Sequence, residues 1–110
     1  YAPATYPDTA AEQMAIFIGG YFYMQTLLSV NTRYPEAAWL AKKQARLMMS
    51  FVVDTAGHVT DIIGDQPVGN GFDEEAIRMI KLLDHQWIPG IQGGKKVKVK
   101  YRLPISFKLQ

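Results

Sequence analysis

The stretch Lys95–Leu109, KKVKVKYRLPISFKL, alternates almost without fault. Val97, Val99, Tyr101, Leu103, Ile105, Phe107 and Leu109 share one parity; Lys96, Lys98, Lys100, Arg102, Pro104, Ser106 and Lys108 share the other. A period of two predicts a β-strand with one buried face and one wet, basic face. At about 3.3 Å per residue it runs roughly 45 Å, well beyond an ordinary strand. Pro104 has no N–H to give to a ladder, so it is accommodated on an edge. A long strand with an open edge is a template for another strand.

The remaining chain must supply one modest core around that strand. With 110 residues, 48% hydrophobic and 20% charged, the composition is that of one globular domain. The net charge of +2 says little, but half of the twelve basic residues lie between Lys95 and Lys108. There is no cysteine, which removes disulfides, thiolate chemistry and Cys-based metal sites. No segment reaches the ~20 apolar residues of a membrane span. The nearest, Met14–Met24, reads as a helix buried under a small sheet rather than one lying on a membrane.

Residues 1–18 read as a tail, with Tyr1–Glu12 rich in Pro, Ala and Thr and without apolar period. The folded domain is expected over 19–110. Gly19-Gly20 precedes a helix over Tyr21–Val30, whose aromatics Tyr21, Phe22 and Tyr23 are expected to pack into the core. Pro35 suits the first turn of a short helix over Glu36–Lys43, with Tyr34 extended before it. Arg46–Asp54 predicts a strand burying Leu47, Met49, Phe51 and Val53. Asp54–Gly57 turns the chain, and His58–Ile63 returns as the second strand. Phe72, Ala76, Ile80 and Leu83 mark the most regular helix, Phe72–Asp84, with an expected Glu74–Arg78 pair and acids suited to its N-terminus. Asp84–Gly94 is a connection in which Trp87 plugs the end of the core. The fold class is α+β: a three-stranded antiparallel sheet, order 2-1-3, with helices on one face and the long strand at an edge.

Nothing here resembles catalytic machinery. No serine sits in a nucleophile elbow, and no glycine pattern forms a P-loop or dinucleotide fingerprint. His58 and His85 have no partner at metal-ligand spacing in the sequence, and His58 reads as a solvated turn residue. Asp61 and Asp65 read as solvated loop carboxylates. No cofactor, metal or catalytic residue is expected. A basic strand could track a phosphate backbone, but Tyr101 lies on the opposite parity and cannot stack a base held by the lysines. No nucleic-acid partner is expected.

The segments NTRYPEAAWLAKK, SFVVDTAGHVTDI, GFDEEAIRMIKLLDHQWIPG and KKVKVKYRLPISFKL resemble, in order and spacing, the C-terminal domain of TonB-type energy transducers, in the branch common in Bacteroidetes. The markers are Tyr34-Pro35, Gly57, Phe72-Asp73, Ala76, Trp87, Pro89 and Leu103-Pro104-Ile105. The chain departs from the pattern at Ile18, at Lys43–Arg46 and at Met48-Met49. The resemblance implies a periplasmic, non-enzymatic coupler tethered to the inner membrane by a segment upstream of Tyr1. It would bind the N-terminal box of TonB-dependent outer-membrane receptors and transmit the pull of a separate proton-driven motor complex. The expected partner-binding residues are Lys96, Lys98, Lys100, Arg102, Pro104 and Ser106, with Tyr34 and Pro35. Two alternatives keep the fold: an interaction module of a membrane-anchored sensor or protease-like protein, and a homodimer joined through the same edges.

Overall fold

The long strand forms as the alternation requires, and the sheet is built on it. The computed structural model describes residues 5–6 and 14–109. In chain order the elements are β1 (Thr5–Tyr6), β2 (Ile16–Phe17), α1 (Tyr21–Asn31), α2 (Glu36–Leu40), β3 (Ala45–Val53), β4 (Val59–Gly64), α3 (Phe72–Lys81), β5 (Trp87–Ile88), β6 (Gly90–Gln92) and β7 (Lys95–Phe107).

The three principal strands lie in the order β4-β3-β7, all antiparallel, which is the expected 2-1-3 arrangement. The β3–β7 ladder runs without a break from Ala45 opposite Phe107 to Val53 opposite Val99. The odd-numbered residues Leu47, Met49, Phe51 and Val53 of β3 join Val99, Leu103, Ile105 and Phe107 of β7 in the buried face. Phe72, Ala76, Met79 and Ile80 of α3, together with Leu83, complete that core with Met24 and Leu28 of α1. These spacings of three and four put one stripe of each helix against the pleated surface.

Short strands enlarge the expected sheet. The Asp84–Gly94 connection contains β5 and β6. β6 folds back on Lys95–Val97 through the two-residue turn Gly93-Gly94, whose φ values of 58° and 73° suit a hairpin turn that favours glycine. β5 pairs with β2 in a separate small sheet. That pairing corrects the helical reading of Met14–Met24: the chain is extended at Ile16–Phe17, turns at Gly19-Gly20 and becomes helical only at Tyr21. Ala15 and Phe17 are buried, so packing reaches upstream of Gly19. Of the tail reading over Tyr1–Glu12, only Thr5–Tyr6 lies within the described residues, and there the chain is a strand.

Trp87 plugs the core between Phe17, Phe51 and Tyr101, with ring centroids 5.0–5.7 Å away. The Asp54–Gly57 turn holds as read, its Asp54 carboxylate accepting the N–H groups of Ala56 and His58. Gly57 is needed there twice over: φ is 83°, and a Cβ would stand 2.5 Å from the Trp87 carbonyl oxygen. Two helix expectations are corrected. Tyr21, Phe22 and Tyr23 lie largely on the surface, Phe22 at 87% exposure, because Met24 and Leu28 carry the buried stripe of α1. Arg78 pairs with Glu75 rather than Glu74.

Candidate partner-binding edge

The geometry of the edge follows from one hydrogen bond. The Asp65 N–H donates to the Met48 carbonyl at 3.0 Å, on the β4 side of β3. The backbone of Met48 is therefore turned away from β7. Pro104 lies directly opposite Met48. In an antiparallel pair of this kind the facing residue also turns its backbone outward. The missing N–H of Pro104 thus falls on the side away from β3, where no ladder bond is lost. The register has no bulge between Ala45 and Val53, so the same parity extends along β7. Lys100, Arg102 and Ser106 direct both backbone groups to the outer side, and Pro104 its carbonyl. Val99, Tyr101, Leu103 and Ile105 are turned toward β3.

The outer side is partly occupied. Val99 is opposite Val53 of β3 and Tyr6 of β1 at once, so β1 lies on the far side of β7 from β3. Its parallel pairing covers Lys98–Val99. From Lys100 to Phe107 no strand pairs with that side among the described residues. The other outer strand, β4, is a poorer template. It is six residues long, and its ladder with β3 shifts register where Asp61 takes a φ of 51°. A bulge twists an edge and interrupts its pairing.

Side chains on the expected site divide into groups. Lys96, Lys100 and Ser106 are exposed on the basic parity; Lys98 and Pro104 are half-buried. Arg102 reaches across the sheet to the Asp65 carboxylate at 2.8 Å, so one of the expected docking cations is held in an exposed ion pair. Tyr34 is edge-on to Phe72 and Phe107, at 5.8 and 6.0 Å, and its hydroxyl donates to the Lys43 carbonyl. A cleft of about 650 Å³ lies between α1 and the end of β7 and joins Tyr34 to Pro104 and Ser106. Gln25, Ser29 and Thr32 of the α1 side line it with Arg46 and Lys108. Pro35 is not on the lining; it fits against Gly71, where an added Cβ would be 2.9 Å from the proline ring.

One grouping has no signature in the sequence. His58, Asp84 and His85 come together although 26 residues separate the first two. The Asp-His pair after a helix and the His after a turn are the only local signals, and neither points to the other.

Residues 30–109 match the family described as Gram-negative bacterial TonB protein C-terminal. Among solved structures, the chain is similar to the NMR solution structure of the Helicobacter pylori TonB C-terminal domain, residues 179–285. The identity is 26%, the match covers 81% of this chain and 79% of that one, and the TM-score is 0.63. A second Helicobacter pylori structure, of residues 194–285, shares the fold at 24% identity, covering 81% and 92% of the two chains with a TM-score of 0.59. No curated protein matches the chain.

Proposed function

The chain belongs to the TonB protein C-terminal family, and from that premise we propose that it captures the extended N-terminal box of an outer-membrane receptor by β-strand addition along β7. The observation that carries this reading is the outward-facing backbone at Lys100, Arg102, Pro104 and Ser106. An extended peptide laid there gains main-chain hydrogen bonds and becomes a further strand of the sheet. Its end beside Ser106 reaches the cleft lined by Tyr34 and α1, which offers a place for side chains to be selected.

The domain works in the periplasm as a coupler. Among the described residues no helix is long and apolar enough to cross a membrane. In this reading a tether holds the domain at the inner membrane and a proton-driven motor complex supplies the pull. A pull delivered to the domain loads the β7–peptide ladder along the strand direction, so several hydrogen bonds share the force. The same ladder geometry is open to a second copy of the chain, which makes a homodimer a competitor for the receptor.

The basic face assists capture without defining it. Lys96 and Lys100 are exposed, and exposed charges are screened over about 3 Å in 1 M salt against about 10 Å in 0.1 M. Receptor-box peptides should associate more slowly with this domain at high ionic strength yet still bind. Loss of all binding in moderate salt would show that charge, not backbone pairing, is the main force.

A further inference from the structure

The geometry points to a second site, distinct from the edge: a divalent-cation site of the zinc class formed by His58, Asp84 and His85. His58 stands immediately before β4, directly after the Asp54–Gly57 turn, and Asp84-His85 follows α3. The three ligand-bearing atoms all lie within 4.8 Å of one another. His85 Nε2 is 3.2 Å from Asp84 Oδ2, and His58 Nδ1 is 3.7 Å from Asp84 Oδ1. Ligands in a tetrahedral zinc shell, each about 2.0–2.1 Å from the metal, stand about 3.3 Å apart. The His85–Asp84 pair already has that spacing, and the His58 donor, within 4.8 Å of the other two, must move closer to complete it.

The carboxylate is held for such a role. Asp84 Oδ1 accepts the N–H groups of Val59 at 2.7 Å and of His85 at 3.0 Å. These bonds fix the carboxylate and leave Oδ2 directed at His85 Nε2. The backbone of His85 has a φ of 65°, a left-handed conformation that a side chain enters at a cost. It places the imidazole edge-on to that of His58, with ring centroids 4.0 Å apart. Two imidazoles and one carboxylate suit zinc, nickel or copper and disfavour magnesium and calcium, which take oxygen ligands. The cluster is partly open to solvent, which leaves room for a water as a fourth ligand. A bound ion would clip the β3–β4 turn to the connection that leads into Trp87.

The test is a titration of zinc chloride into the protein, read by calorimetry and by the imidazole nitrogen resonances. One equivalent should bind, and the resonances of both histidines should move together; magnesium chloride should move neither. His58→Gln and His85→Gln should each lower zinc affinity by at least about tenfold. The wild-type imidazole shifts decide the matter alone if a variant fails to fold. Absence of saturable zinc binding, or binding that leaves either histidine unmoved or is unchanged in both variants, would overturn the assignment.

Discussion

Glu75 ties the helical layer together. The residue is 8% exposed, and its carboxylate accepts the Arg33 N–H at 2.6 Å and the Arg78 guanidinium twice at 2.7 Å. Arg78 donates onward to the Asn31 carbonyl at 2.6 Å, so the pair fixes the link between α1 and α2 against α3. Burial alone would raise the Glu75 carboxyl; the Arg78 hydrogen bonds, the Arg33 N–H and the two positive charges outweigh it and hold the group below its ordinary range. A carboxyl lowered in the folded state contributes stability that is fully present above its unfolded value, about 4.3, and is lost as pH falls through the lowered native value. Glu75→Gln should reduce unfolding free energy at neutral pH by roughly 1 kcal/mol, since the half-buried Arg78 guanidinium and the Arg33 N–H lose a charged acceptor. It should also flatten the loss of stability below about pH 4.3. Denaturant unfolding at several pH values checks both, and an acid profile identical to wild type would contradict the role.

Among the elements, β7 carries the strongest prediction. Its parity assigns outward backbone groups to Lys100, Arg102 and Ser106, and inward ones to Val99, Tyr101, Leu103 and Ile105. Amide hydrogen exchange in the free protein should be slow at 99, 101, 103 and 105 and fast at 100, 102 and 106. The reverse pattern would place the open edge elsewhere. This strand was legible in the sequence because a period of two is a local property, and Pro104 marked which edge lacked a donor. The buried stripes of β3 and α3 were legible for the same reason. What escaped was decided at a distance. Arg78 chose Glu75 over Glu74 because the Arg33 N–H and the Asn31 carbonyl, more than 40 residues away, converge on that pair. The aromatics of α1 stay outside because Met24 and Leu28 already fill the space over the sheet. Two-residue pairings such as β1 with β7 and β2 with β5 have too short a period to read. The ion pair that occupies Arg102 depends on β4 ending beside Asp65, which no spacing announces.

At the scale of the whole molecule, one face of the sheet is closed by helices, and among the described residues no strand pairs with the outer edge of β7 from Lys100 to Phe107. The sheet therefore has a place to grow by one strand without rearranging its core. At Lys98–Val99 the edge is already paired with Thr5–Tyr6. A receptor peptide must surrender conformational entropy to join, so modest affinity is compatible with the mechanism, and the location of binding is the discriminating quantity. The most direct measurement is a titration of an extended receptor-box peptide into isotopically labelled protein, following every backbone amide. The account predicts that the largest shifts run along 100–107, with smaller ones around Tyr34 and the α1 side of the cleft. Shifts confined to α3 or to the outer edge of β4, with β7 unmoved, would contradict it.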